Sequence, residues 1–480
     1  MLRRLTLAAA VATASMGWAV ADSLNVSPRS DLVSVYQQAA LNNADLGAAR
    51  ADFKARQEQV PQARAGLLPN LSAGIVNTDS QSKVDTDLGN IDAKRSGLHY
   101  QASLSQPLFR IDRWYELQAA HALTEQAAIN LSATEQQLIL DSAEAYFAVL
   151  RAQDNLAATK AEETAFKRQM DQANERFDVG LTDKTDVLEA QAGFDAARAN
   201  RIFAERQVQD ALEHLSTLTN HRHNALEGIR HSLPILPPTP ADASAWVNTA
   251  SVQNLNLKAS EYAVTAAEEN LRQRKAGHAP SLDAVAQYKR GDNDSLGFSS
   301  SASGVGYRGD AEQRSIGLQL NIPLYSGGLV SSQVRESTQR LDQVQQQRES
   351  LRRVVVENTR NFYRAVNTDV ETVQARRQSI ISTQSALEAT EIGYQVGTRN
   401  IVDVLNAQRQ LYSAVRNYNN ARYDYILNNL RLKQVAGTLS PDDLAALGEY
   451  LKPDYNPDKD FLPPDLARIA EQSLQDLKNL

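Results

Sequence analysis

The sequence predicts a mainly helical, exported protein made of one unit written twice, each unit joining a β-hairpin to a very long helical hairpin. Three observations carry that prediction. Motifs recur at a nearly constant offset, apolar residues alternate with a period of two at four places, and two stretches of more than sixty residues hold no proline and almost no glycine.

The N-terminus sets the compartment. Met1 to Ala21 has a basic head (Arg3, Arg4), an apolar run, and Ala19-Val20-Ala21 before Asp22. That is the pattern of a secretory signal peptide over residues 1–21, too short and wrongly flanked for a membrane anchor. No cysteine follows the cleavage site, so a lipid-modified N-terminus is not expected. The chain has no cysteine at all, which excludes disulfides, thiolate metal sites and thiol nucleophiles. Net charge is −7, or −9 without Arg3 and Arg4, so nucleic acid is not an expected partner. No run of about 20 apolar residues remains, so no transmembrane helix is expected.

The duplication orders the rest. Phe177 to Gln191 (FDVGLTDKTDVLEAQ) is answered by Tyr394 to Gln408 (YQVGTRNIVDVLNAQ), 217 residues on. Asn43-Ala-Asp-Leu46 is answered by Asn254-Leu-Asn-Leu257, and Pro107-Leu-Phe109 by Pro323-Leu-Tyr325. A first repeat is therefore placed over 22–230 and a second over 241–441. The Pro-rich connector 231–240 (HSLPILPPTP) cannot be helical. Residues 442–480 form a C-terminal tail, expected in the periplasm.

Each repeat changes periodicity along its length. Leu98, Tyr100, Ala102 and Leu104 alternate with polar residues, as do Ile316, Leu318, Leu320 and Ile322. Leu282 to Tyr288 gives a third such row and Leu71 to Ile75 a shorter fourth. These are four strands, each apolar on one face. They read as two hairpins, about 70–109 and 281–325, joined by polar loops over roughly 77–97 and 289–313. The second loop holds GFSSSASGVG and is expected to be mobile.

Helical rods follow, Asp112 to about Phe177 and Leu329 to about Tyr394, each near 100 Å long at about 1.5 Å per residue. Small apolar residues along them suit close, coiled-coil packing. Val179-Gly180 and Val396-Gly397 end the rods, glycine being favoured just past a helix C-terminus. Thr185-Asp186 and Val402-Asp403 open the return helices, where a carboxylate suits the exposed N–H groups. The tips lie at 177–188 and 394–405.

Four amphipathic strands leave two open edges and cannot stand alone as a sheet. Export, the absence of cysteine and one apolar face per strand fit an outer-membrane barrel, which takes eight strands or more. The chain is thus expected to pool strands with copies of itself, and three copies would supply twelve.

The motifs SLSQPLFRIDRW, AYFAVLRAQDNL, RFDVGLTDKTDVLEAQ, NIPLYSGG and GYQVGTRNIVDVLNAQ resemble the outer-membrane efflux protein family, in its TolC-like branch, over essentially the whole exported chain. The resemblance implies a homotrimer with a twelve-stranded barrel in the outer membrane lipid and a helical tunnel in the periplasm. It implies a periplasmic adaptor protein and an inner-membrane transporter of ABC, RND or MFS type as partners. It implies a role as exit duct for efflux or type I secretion. It also implies a periplasmic gate in which Tyr394 and Arg399 of the second tip meet Thr185 and Asp186 of the first. The family pattern puts two aspartates three residues apart after the second glycine; here they are Asp403 and Asn406, so one acidic ring of two is expected at the entrance. Val179, Gly180 and Leu181, with Val396, Gly397 and Thr398, offer small apolar surface for the adaptor.

Nothing points to an enzyme, a cofactor or a metal site. His221, His223 and His231 are the only histidine cluster and lack helical ligand spacing, so they read as solvated. Carboxylate pairs such as Asp183 with Asp186 and Glu162 with Glu163 read the same way. An exported coiled-coil scaffold would explain the rods but not the duplicated strands. A periplasmic adaptor would need a lipoyl-like β segment, and none is visible.

Overall fold

A computed structural model describes residues 29–87, 89–292, 296 and 309–464. The expected signal peptide, the GFSSSASGVG stretch and the tail beyond residue 464 lie outside the described residues. Helices α1 (Leu32–Asn42), α2 (Ala44–Gln57) and α3 (Gln59–Ala65) lead into β1 (Asn70–Thr86), β2 (Gly89–Phe109), α4 (Ile111–Asp178) and α5 (Lys184–Thr219). After β3 (Gly228–Ile229) the same order returns: α6 (Ala243–Gln253), α7 (Leu255–Lys275), β4 (Ser281–Asp292), β5 (Asp310–Asn321), α8 (Leu329–Gln395) and α9 (Ile401–Ala436). The C-terminal segment adds α10 (Pro441–Gly448), β6 (Leu451–Lys452) and α11 (Pro457–Asp460).

The two hairpins form one antiparallel sheet in the order β1-β2-β4-β5, so β1 and β5 are its edges. Where β2 hands over to α4, the Arg110 guanidinium forks onto both oxygens of Asp283 at 3.1 and 3.0 Å and ties the hairpins together. The period-two rows face outward: Leu71, Ile75, Leu318 and Leu320 are exposed, and Ile316 is 91% exposed. Among the described residues no helix is long and apolar enough to cross a membrane.

The loops are shorter than the sequence pattern implies. The β1–β2 ladder continues from Thr78↔Gly97 to Thr86↔Gly89, through residues expected to form a polar loop. Likewise β4 and β5 pair out to Asp292↔Asp310. A ladder needs only backbone groups, and these residues show no apolar alternation in sequence to betray it.

The rods are α4 and α8, 68 and 67 residues long. Thr359, Val366, Val373, Ile380, Leu387 and Tyr394 of α8 are all buried and recur every seven residues, a period that underwinds the helix into a left-handed supercoil. Buried alanines of α4, among them Ala119, Ala143, Ala145 and Ala158, let neighbours approach closely. α5 returns along α4 and α9 along α8, and α9 also touches α4.

A belt around the middle of the rods collects three distant segments. Ser30 bridges to Leu226, and β3 pairs with β6 through Gly228↔Lys452 and Ile229↔Leu451. Tyr455 lies flat on Gly228, where an added Cβ would come within 2.0 Å of the ring. Tyr146 donates to the Glu227 carbonyl at 2.6 Å, Arg422 to the Arg230 carbonyl at 2.9 Å, and Asn419 to the Phe461 carbonyl at 2.8 Å. Beneath them Tyr146, Phe147, Leu150, Tyr423 and Ile426 make the largest core cluster.

Several side chains read as solvated belong to this frame instead. His223 bonds Thr219 and Ser30 at 3.0 Å each, and His231 donates to the Asp460 carbonyl at 2.8 Å while stacking on Tyr418. Glu162 is buried and paired with Arg416 at 2.6 Å. Ser30, Asp460 and Arg416 lie far away in sequence from the residues they meet, so local spacing could not reveal them. The C-terminal segment likewise does not trail free as far as residue 464: it closes the belt.

Asp154 of α4 is the deepest carboxyl in the belt. It accepts from Tyr423 of α9 at 2.7 Å and from Tyr455 of the C-terminal segment. Burial pushes its pKa up to about 6, against the pull of those two phenols and of Arg422. Because that value lies above the ordinary 3.8, Asp154 contributes its stability in full below about pH 4 and loses it as pH rises through about 6. The loss is at most about 3 kcal/mol. Asp154→Asn, neutral at every pH, should remove that part of the profile. Guanidinium unfolding at about pH 5 and about pH 7.5 checks this; the parent should weaken over that interval and the variant hold.

Candidate functional site at the helical tips

Both rods end in the same turn. In the first, Gly180 N–H donates to the Phe177 carbonyl at 2.9 Å and Leu181 N–H to the Arg176 carbonyl at 2.8 Å. In the second, Gly397 and Thr398 donate to Tyr394 and Gly393 at 3.2 and 2.8 Å. This doubled closure needs a left-handed residue, and Gly180 and Gly397 have φ of 75° and 76°.

The return helices start on different caps. Asp183 accepts from the N–H groups of Thr185 and Asp186 at 2.9 and 3.4 Å. Asn400 accepts from Asp403 N–H at 2.8 Å, and the Asp403 carboxylate reaches back to Asn400 N–H at 3.4 Å, a complete capping box. The capping residues are thus Asp183 and Asn400, two to three positions before those the sequence suggested.

Tyr394 is 7% exposed and packs with Phe166, Leu387, Ile401, Val404 and Leu405. Its hydroxyl is buried beside Thr182 and Asp186 without a well-formed hydrogen bond. Burial raises its pKa, and the Arg176 guanidinium pulls it back. Arg176 lies over the Tyr394 ring, 4.8 Å from its centre. Thr182 hydroxyl donates to the Asp186 carboxylate.

Within one chain the expected gate residues therefore fall into two groups. Tyr394 and Asp186 come together, with Thr182 and Arg176 completing the set. Arg399 instead pairs with Asp403 of its own hairpin at 3.9 Å, and Thr185 is exposed. Sequence reasoning missed Thr182 and Arg176. Thr182 lay one turn before the aspartate that was chosen, and Arg176 touches a ring 218 residues away. At the outermost points Val179, Leu181 and Val396 are all more than two-thirds exposed, flanking the two glycines and Thr398.

Comparison with known proteins matches this architecture. The family described as "Outer membrane efflux protein" matches twice, over residues 35–221 and 246–438. Outer membrane protein TolC of Vibrio cholerae is 37% identical over 425 residues, covering 88% of this chain and 94% of TolC. Alkaline protease secretion protein AprF of Pseudomonas aeruginosa is 29% identical, covering 86% and 85%. A crystal structure of CusC superposes with a TM-score of 0.73 at 16% identity over 85% of this chain and 92% of that one, a likeness of fold. With its duplicated rods, its open apolar sheet and these matches over most of its length, the chain belongs to the outer membrane efflux protein family.

Proposed function

We propose that the chain is the outer-membrane exit duct of a tripartite efflux or type I secretion system, working as a homotrimer. The observation that carries this reading is the sheet: four strands, an exposed apolar face, and two unpaired edges above two rods of nearly equal length. Hydrocarbon offers no partner for edge N–H and C=O groups, so membrane strands occur only in closed barrels. Three copies close a twelve-stranded barrel, and their rods continue it as a tunnel. The partners are a periplasmic adaptor and an inner-membrane transporter of ABC, RND or MFS type. The chain provides a passage and no catalytic chemistry. The family's description names efflux and the AprF relative is named for protease secretion, so the reading takes in both kinds of cargo.

The resting duct is closed at the tips. Tyr394 and Arg399 of the second hairpin, with Thr185 and Asp186 of the first, form the gate, and the exposure of Arg399 and Thr185 leaves both available to a neighbouring copy. Exposed ion pairs hold by about 0–1 kcal/mol each, weak enough for a docking partner to break. Outer-membrane fractionation tests the duct directly. A heat-modifiable, detergent-requiring trimer of low resting conductance is expected, with Arg399→Ser conducting several-fold more. A soluble periplasmic monomer would mean a scaffold or an adaptor.

The surface of Val179, Gly180, Leu181, Val396, Gly397 and Thr398 receives the adaptor. Gly397→Glu should abolish drug resistance or export while the trimer stays in the membrane. Loss of the trimer itself would assign the glycine to folding alone.

Asp403 completes the capping box of Asn400 in the single chain, and in a trimer three copies would also ring the entrance. Such a ring concentrates multivalent cations. Asp403→Ala should then weaken block by a trivalent cation at low salt, and Asn406→Asp should strengthen it. Block that ignores both substitutions leaves Asp403 as a cap only.

A further inference from the structure

We propose that Arg176 is a positioning residue of the gate: it clamps the Tyr394 ring and so holds the second tip against the first within each chain. This rests on the gated-duct reading above. The guanidinium carbon sits 4.8 Å from the ring centre, within the range at which a cation is drawn to an aromatic face. Arg176 Nε is buried and makes no hydrogen bond, so the ring face is what the buried part of the group meets. The Tyr394 hydroxyl lies beside Thr182 and Asp186, so the first tip meets this ring at its hydroxyl edge and, through Arg176, on its face.

The duplication shows that the arginine is not part of the turn. Positions 217 residues apart are equivalent, so Arg176 corresponds to Gly393 and Thr182 to Arg399. The second tip makes the same closing turn with glycine where the first has Arg176. At Gly393 the missing side chain has its own use: an added Cβ would come within 2.8 Å of Arg399 Cγ, so the Arg399 stem lies across the end of α8. Each tip therefore carries one arginine, at non-equivalent positions. The Arg399 stem stays on its own hairpin and the Arg176 guanidinium reaches across to the other.

Arg176 is also wired to the docking surface. Its carbonyl accepts from Leu181 N–H, the hydrogen bond that closes the first tip. A partner that displaces Gly180 and Leu181 pulls on the residue that grips Tyr394. Docking and release of the second tip are then one motion.

Single-channel conductance in planar bilayers tests this, with assembly confirmed by heat-modifiable migration. Arg176→Leu should raise resting conductance about two- to fivefold, and Arg176→Lys, which keeps a cation, should raise it less. Tyr394→Leu should open the channel too, and adding Arg176→Leu to it should change nothing more. If Arg176→Leu fails to assemble, Arg176→Gln carries the same comparison. Parent-like conductance of the Arg176 variants beside an opened Arg399→Ser channel overturns the clamp and leaves the gate standing. Parent-like conductance of Arg399→Ser as well overturns the gate reading itself. Additive effects of the two leucine substitutions show that Arg176 does not act through Tyr394 and also overturn the clamp.

Discussion

An edge strand in hydrocarbon leaves a row of amides and carbonyls with no partner, and this chain has two such edges, β1 and β5. The rest of the architecture answers that constraint. Within the chain, β2 pairs with β4 so that two hairpins become one piece of sheet, and the Arg110–Asp283 fork ties them together where α4 begins. The remaining pairing has to come from outside the chain. A wall segment that needs identical neighbours places identical rods side by side beneath it, and the tunnel in our proposal is the continuation of the barrel by necessity.

The rods meet a different problem. Helices this long cannot be held by a single core, and the buried contacts are distributed along them. A seven-residue seam runs down α8, an aromatic cluster sits at the belt, and a smaller cluster lies at the tip. The belt is the densest of these and is built from the start, middle and end of the chain. Ser30, Glu227, Arg230 and Tyr455 all bond there, so the two repeats are fastened to one another at mid-height.

Much of this was legible in the residues. Period-two rows, proline-free stretches and the repeated Val-Gly announced strands, rods and tips, because each reports a local backbone requirement. The match of the rods, Ile111–Asp178 and Leu329–Gln395, to the proline-free limits follows from that. What escaped depends on partners distant in sequence. Asp154 with Tyr455, Glu162 with Arg416, and Arg176 with Tyr394 are pairs whose members look like ordinary surface residues until the fold brings them together. The β1–β2 extension escaped for another reason, since backbone pairing by itself requires no alternation of side-chain polarity. The proposed gate was not legible in residue spacing: Tyr394, Arg399, Thr185 and Asp186 came from the family resemblance, and the Arg176–Tyr394 contact joins residues 218 apart.

The position of the belt has a mechanical consequence. From Asp154, pinned by two phenols, to the end of α4 at Asp178 the rod continues for two dozen residues, roughly 36 Å at about 1.5 Å per residue. Belt contacts continue onto the upper part of that stretch, where Ala157 and Ala158 cluster with Phe461 and Lys160 meets Asp458; below Glu162 its neighbours among the core clusters are other long helices. It is a lever with its pivot at mid-height. From Glu162, just below these contacts, about 24 Å of rod remains, and a swing of about 10° there would carry the tip about 4 Å, a little under one helical pitch. Small torques at the tips therefore act on a short arm below the last belt contact and move the ends of the hairpins sideways by a few ångströms.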